Sequence, residues 1–393
     1  MRATDPTPPH TMHRALDPGV YLNDAATAWP KAPGVTAVVS RALHLAPAHP
    51  GLGRGPTENV VDLCRARLAT LLGGVPEHRV ALTSNATHAL NLALRGLAWR
   101  PGTRAVTTVT EHSSVLRPLH LLQDLGELQL TVVGLDGSLG IDEEAYDRAL
   151  TEEPGLVVLN HASNVTGRVN DVGSLFSRAK RVGAITVLDA SQTLGVLPVH
   201  PEELHADLVA FTGHKGLRGP AGTGGLYVRP GIELEPLIVG ATSMHGSLLH
   251  HPEQMPTRLE AGSLNLAALA GLAQALDWVL GRTSDDSLSV RQLGDQVREE
   301  LAHSAHVRIF DSEPGPPRLG IVSFQIGGWT VETAGAVLWQ NFGICCRAGL
   351  HSAPLIHHAI GSAPQGTIRF SLSPYTTAEH AAAAVAAVRS IAA

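Results

Sequence analysis

The sequence predicts an α/β fold: a mostly parallel sheet with helices on both faces, followed by a smaller α/β domain. Short apolar runs of strand length alternate with stretches of helical periodicity. Strands separated by helices are what a parallel sheet covered on both faces requires. The chain of 393 residues also exceeds what one core usually covers, so two domains are expected.

In chain order, residues 1–20, rich in Pro and His, read as an arm without its own core. A large domain is expected over 21–260. Within it "RVALTS" (79–84) reads as a strand, and "THALNLALRGLAW" reads as a helix with Leu90, Ala93, Leu94 and Leu97 on one face. "TRAVTTV" (103–109), "LQLTVVGL" (128–135), "GLVVLNHAS" (155–163), "AITVLDAS" (184–191) and "DLVAFTG" (207–213) are further strands, most with helical stretches between them. Around 230–265 the pattern loosens into Pro, Gly and His. A smaller domain is expected over 261–393: a long helix from about Ala267, strands "LGIVSFQI" (319–326) and "GTIRFSLS" (366–373), and a C-terminal helix in "TAEHAAAAVAAVRSIAA". "NFGICCRAG" (341–349) reads as a buried strand, with Cys345 and Cys346 as small hydrophobes.

Composition narrows the function classes. Apolar residues make up 44% and charged residues 16%, the balance of an ordinary globular chain. A net charge of −6 without a Lys/Arg block argues against nucleic-acid or anionic-membrane binding. The opening stretch has no apolar core of signal-peptide length, and nothing approaches a membrane span. Three cysteines, Cys64, Cys345 and Cys346, cannot form a disulfide framework, so a reducing, cytoplasmic setting is expected. The 21 histidines lack ligand spacing with Cys or carboxylate partners even at His250–His251 and His357–His358, so no metal is expected.

In an open parallel sheet, ligands bind beyond the carboxyl ends of the strands. Ser84, Asn85, Ala86 and Thr87 open a helix there, whose free N–H groups make an anion site. The next strand ends bring Thr110, Glu111 and His112, then His161 and Asn164, then Asp189 with Gln192 a turn later, and finally Thr212, His214 and Lys215. An anion cradle, a carboxylate, a flat aromatic base and an amine together suit pyridoxal phosphate. The amine condenses with its aldehyde, the carboxylate keeps the pyridine nitrogen protonated, and hydroxyls with backbone N–H groups hold the phosphate. A lysine whose pKa shifts readily can also carry the substrate's α-proton.

These residues sit in stretches that resemble a known family over nearly the whole length. "YLNDAATAWPKAPGV" (21–35), "LTSNATHALNLAL" (82–94), "EHSSVLRPL" (111–119), "NHASNVTGRVNDV" (160–172), "VLDASQTLG" (187–195), "FTGHKGLRGPAGTGGLYV" (211–228), "RLEAGSLN" (258–265), "RAGLHSAPLIHHAIG" (347–361) and "GTIRFSLSPYTT" (366–377) are similar to the cysteine desulfurase group of class V aminotransferases, fold-type I pyridoxal phosphate enzymes. The resemblance implies that Lys215 carries the cofactor, Asp189 pairs with its ring nitrogen and His112 stacks on the ring. Gln192 and Asn164 would lie near the ring oxygen. Ala86, Thr87, Thr212 and His214 would hold the phosphate, joined by Ser263 from a partner subunit in a homodimer with shared sites. Arg369 would clamp the substrate carboxylate, with Ala26, Asn164, Arg347, His351 and Ser352 nearby. The small residues behind Lys215 would let the backbone pass close to cofactor and partner. Residues 241–256 fall where relatives close over the site from the partner.

Two departures stand out. The family's loop carries cysteine where this chain has Ser352, and that cysteine takes the substrate's sulfur. A serine hydroxyl has little anion character near neutral pH and cannot do so. His88 stands where many relatives carry Glu, and reads as a helix surface residue. With no thiol, β-elimination on cysteine or an S-substituted cysteine is expected. Transamination, racemisation, a desulfurase using Cys345 or Cys346, and an inactive homologue serving as a binding partner are the alternatives.

Overall fold

The computed structural model describes residues 19–44, 58–242, 249–310 and 317–393. The expected arm lies almost wholly outside the described residues, as does part of the 241–256 segment, residues 243–248. The strands run β1 (Val20–Tyr21), β2 (Val80–Thr83), β3 (Thr103–Thr108), β4 (Leu128–Val133), β5 (Leu156–Asn160), β6 (Ile185–Asp189), β7 (Leu208–Thr212), β8 (Gly224–Val228), β9 (Val307–Phe310), β10 (Ile321–Ile326), β11 (Ile344–Cys345), β12 (Arg347–Gly349) and β13 (Thr367–Ser371). The helices are α1 (Val35–His44), α2 (Glu58–Leu71), α3 (Ala86–Arg95), α4 (Ser113–Asp124), α5 (Glu143–Leu150), α6 (Val172–Arg181), α7 (Leu266–Leu280), α8 (Ser284–Ala302), α9 (Val331–Phe342), α10 (Pro354–Ala359) and α11 (Ala378–Ala392).

A seven-stranded sheet in the order β2-β8-β7-β6-β5-β3-β4 forms the centre. Its apolar runs are buried on both faces because successive side chains point to opposite sides. Val157 and Leu159 of β5 face the core built with α2, α5, α6 and α7, while Leu156 and Val158 face the core built with α3 and α4. Neighbours are parallel except at β8, which is antiparallel to both β2 and β7. β8, over "GGLYV", is not among the strands expected from the sequence. Its glycines hid it, yet they permit it: a Cβ at Gly224 would lie 2.7 Å from Phe211 O and 2.8 Å from the Asn85 Cα. Glycine here brings strand and helix start together.

The glycines on either side of Lys215 are kept small by their own chain. A side chain at Gly213 would run into Thr223 Oγ1, and one at Gly216 into the carbonyl of Leu194, both in the same chain. Close packing within the fold requires these residues to be small.

A second sheet, β12-β13-β10-β9, is antiparallel. It carries α8, α9 and α11 on a core that includes Val322, Phe324, Ile368 and Phe370. The expected strand over "NFGICCRAG" is instead broken. α9 runs to Phe342, Gly343 closes it at φ 65°, and β11 and β12 join different sheets on either side of Cys346. Both vicinal cysteines are partly buried. The two sheets meet through the segment after β5. Leu319 N–H donates to Gly167 O (2.8 Å), Val169 N–H to Pro317 O (2.9 Å) and Ser323 Oγ to Val165 O (2.6 Å). α7 belongs with the large sheet, where Leu269, Leu272 and Leu276 pack in its core.

Candidate active site

β2, β3, β5, β6 and β7 all end on one edge of the large sheet, and β12 and β13 bring two arginines to the same place. A cavity of about 200 Å3 lies there. Lys215, His112, Asp189, Ala86, Thr87, Asn164, Gln192, Thr212, His214, Ala26, Arg347, His351, Ser352 and Arg369 all line it. Ser263 does not: it is exposed and lies outside the cavity of its own chain. Asn85 of the expected helix start also lines it, and sequence reasoning missed Ala25, Ser114, Asn160, Ala162 and Ser191, which do so too. Ser114 and Ser191 stand two residues after His112 and Asp189, and a hydroxyl at that offset is the available signal, because it folds back onto the preceding side chain.

The start of α3 is built for an anion. Asn85 caps the helix, its side chain accepting the His88 N–H (2.9 Å), so the first N–H groups and the Thr87 hydroxyl face outward from the strand end. His88 is not a plain surface residue. It is half-buried, and its Nδ1 accepts the Ser84 N–H at 3.4 Å, a second cap. Burial lowers its pKa, which keeps it an acceptor. Across the cradle, Thr212 Oγ1 and His214 Nδ1 are 2.9 Å apart. Burial and Lys215 hold His214 down to about 4, so it is neutral.

Asp189 Oδ1 accepts the Ser191 N–H (2.9 Å) and the Ser191 hydroxyl, so this carboxylate is oriented by its own loop. Beneath it lies Glu111, fully buried. Its Oε1 accepts from Thr108 Oγ1 and Asn160 N–H, both at 2.9 Å, while Oε2 has no partner among the described residues. Burial, with Asp189 adding to it, raises Glu111 to about 8. It is therefore a neutral acid at neutral pH.

Burial lowers the Lys215 amine to about 8; Asp189 opposes this, and Arg369 and Arg347 add to it. The chain has three lysines, Lys31, Lys180 and Lys215. Lys180 is paired with Asp207 at 2.7 Å, and Lys31 does not line the cavity. His112 is held down to about 4 by burial and then by Lys215. Its Nδ1 accepts the Ser114 N–H at 3.1 Å as the cap of α4.

Arg347 and Arg369 are cross-strand partners on β12 and β13. Arg369 Nη1 donates to Asn164 O (2.8 Å), and its Nε and Nη2 have no partner among the described residues. Those two N–H groups lie parallel, the fork a carboxylate accepts. Burial, then Arg347, lowers Arg369 to about 9, still charged at neutral pH. The loop after β12 is pinned to the large sheet: Ser113 N–H donates to Ser352 O (2.7 Å) and Asn164 Nδ2 to His351 O (2.9 Å).

Comparison with known proteins agrees with this geometry. Residues 20–383 match the family model Aminotransferase class-V. The chain belongs to the class V aminotransferase family. It is 32% identical over 380 residues to a protein of Methanothermobacter thermautotrophicus named "Probable cysteine desulfurase", covering 92% of this chain and 91% of that one. A protein of the same name from Xylella fastidiosa is 31% identical over 385 residues, covering 92% and 88%. The solved structure of a cysteine desulfurase from Thermococcus onnurineus superposes with a TM-score of 0.87 at 27% identity, over 95% of this chain and 94% of that one. The cysteine desulfurase CsdA of Escherichia coli gives 0.85 at 25%, over 95% and 94%. The chain is a pyridoxal-phosphate-dependent enzyme of the fold-type I architecture.

The residues present fit that cofactor. A cavity-lining lysine with a lowered pKa, an oriented carboxylate, a neutral histidine and an uncharged hydroxyl-and-N–H cradle at a helix start are the donor set it needs. Among the described residues no group of His, Cys, Asp and Glu could hold a metal, and no helix is long and apolar enough to cross a membrane.

Proposed function

We propose that this protein is a C–S lyase that eliminates the β-substituent of cysteine or an S-substituted cysteine without forming a persulfide on itself. One observation carries the reading: among the described residues, which include all three cysteines, no thiol lines the cavity. Ser352 occupies the loop position where the resemblance puts the sulfur-accepting cysteine. Cys345 and Cys346 do not line the cavity, and burial raises both thiols, Cys346 to about 12, so neither supplies a thiolate at neutral pH. The reaction balances without an oxidant: an S-substituted cysteine and water give pyruvate, ammonia and the free thiol.

When bound, pyridoxal phosphate supplies a ring that withdraws electrons from the substrate's Cα. This chain's residues do the rest. The Ala86 N–H, Thr87, Thr212 and His214 hold the phosphate, and Asp189 holds the proton on the ring nitrogen through the oxygen that Ser191 leaves free. His112, neutral and capped, would stack on the ring. Gln192 and Asn164 lie near the ring oxygen. Arg369 grips the substrate carboxylate through Nε and Nη2 and so aims the Cα–H at Lys215. The Lys215 amine, neutral for much of the time near pH 8, would anchor the cofactor and, once the substrate's amine has displaced it, would take the Cα proton at Nζ. We also propose a homodimer in which Ser263 completes the phosphate site of the partner subunit; its exposure outside its own cavity supports this. Three free cysteines support a reducing, cytoplasmic setting.

The test is product analysis by mass spectrometry with L-cysteine and S-substituted cysteines. The reading predicts pyruvate with sulfide or the matching thiol, and no added sulfur on the protein. Ser352→Cys is expected to acquire a protein-bound sulfur while Lys215→Ala loses turnover by about a hundredfold or more. Exchange between an amino acid and a keto acid without elimination would replace the reading with an aminotransferase. Sulfur appearing on Cys345 or Cys346 of the unaltered protein would replace it with a desulfurase.

A further inference from the structure

Thr87 and His112 sit on different elements, and one side chain joins them. The Ser114 hydroxyl lies 2.8 Å from Thr87 Oγ1 and 2.9 Å from His112 Nδ1. The Ser114 backbone N–H also donates to the same Nδ1. That nitrogen therefore carries no proton, and the neutral ring bears its proton on Nε2.

The protons along this chain are too few for every use. Ser114 has one hydroxyl proton for two short contacts, and Nδ1 has none to give. If Ser114 donates to His112, the contact with Thr87 must use the Thr87 proton, and Thr87 has nothing left to donate. If Thr87 donates to an anion, its oxygen takes the Ser114 proton, and Nδ1 keeps only the backbone N–H.

We propose that Ser114 is a positioning residue that couples anion binding at Thr87 to the hydrogen bonding of His112. An anion at the start of α3 draws the Ser114 hydroxyl proton away from Nδ1, so the ring becomes richer in electrons only when the cradle is filled. The backbone N–H holds the Nε2–H tautomer in both states. No covalent bond changes; one hydroxyl proton changes acceptor. This rests on the reading of Thr87 as part of the phosphate cradle.

The test uses apoprotein with 15N-labelled histidine and inorganic phosphate as the probe, at constant neutral pH, with His112 assigned through His112→Gln. In the wild type, phosphate is expected to shift the Nδ1 resonance towards that of an imidazole nitrogen with one donor fewer, while Nε2 stays protonated. In Ser114→Ala, which keeps the capping N–H, the resonance starts at that position and does not move. Lys215, Asp189, Arg347 and Arg369 also act on the ring, but they are common to both proteins. An equal shift in Ser114→Ala, a protonated Nδ1, or no wild-type shift while the 31P signal reports bound phosphate overturns the coupling. Absence of phosphate binding, or a shift that survives in Thr87→Val, instead overturns the cradle reading and the coupling with it.

Discussion

At Ser352 and the residue before it the backbone is held independently of the side chain that residue 352 carries. His351 and Ser352 both have left-handed backbones, with φ of 49° and 58°, which costs a non-glycine residue about 1–2 kcal/mol each. The strain is offset by the pins from Ser113 and Asn164 and by His351 Nε2 lying 2.9 Å from Thr367 Oγ1. The backbone, not the hydroxyl, therefore places residue 352. Ser352→Gly is expected to keep its elimination rate and to melt at the same or a higher temperature, since glycine accepts this conformation without strain. Thermal melts and pyruvate formation check this, and a large loss of rate would make the hydroxyl part of the chemistry. At this scale the sequence was most informative at strand ends, where Lys215, Asp189 and His112 are set by topology alone. Ser114 and Ser191 were legible only through their offset from His112 and Asp189, because which neighbour a serine touches depends on how the turn after the strand closes.

At the scale of elements, legibility followed burial. Strands such as β5 and β7, apolar on both faces, stood out as continuous runs. β8 did not, because two of its five residues are glycines kept small by Phe211 and Asn85. The broken "NFGICCRAG" stretch misled for the opposite reason: its apolar residues serve two sheets, with the chain turning between them. The β8 glycine gives a prediction. Gly224→Ala would place a methyl group against the Phe211 carbonyl and the Asn85 backbone, pushing the start of α3 off the sheet. Stability is expected to fall by about 1–3 kcal/mol, and the affinity for pyridoxal phosphate should fall with it, because Ala86 and Thr87 move with the helix. Denaturant unfolding and cofactor titration measure both; weaker binding without destabilisation, or the reverse, would separate the helix start from the cradle.

At the scale of the whole molecule, the site exists because two sheets are docked. The large sheet supplies the amine, the carboxylate and the anion cradle; the second supplies the arginine fork, and Asn164 ties them by donating to His351 and accepting from Arg369. This docking could not be read from periodicity, since its contacts lie far apart in the chain. Two arginines and a lysine line the cavity beside a single carboxyl group, so it favours anionic ligands such as a phosphate and a carboxylate. Everything in this account depends on Lys215 being the residue that holds the cofactor. The most direct test is to load apoprotein with pyridoxal phosphate over a pH series, reduce with borohydride, and map the labelled peptide. The neutral amine is the reactive form and burial lowers its pKa to about 8, so label should appear on Lys215, with capture accelerating as pH rises through about 8. Label on Lys31 or Lys180, or loaded protein with no labelled lysine, would contradict the account.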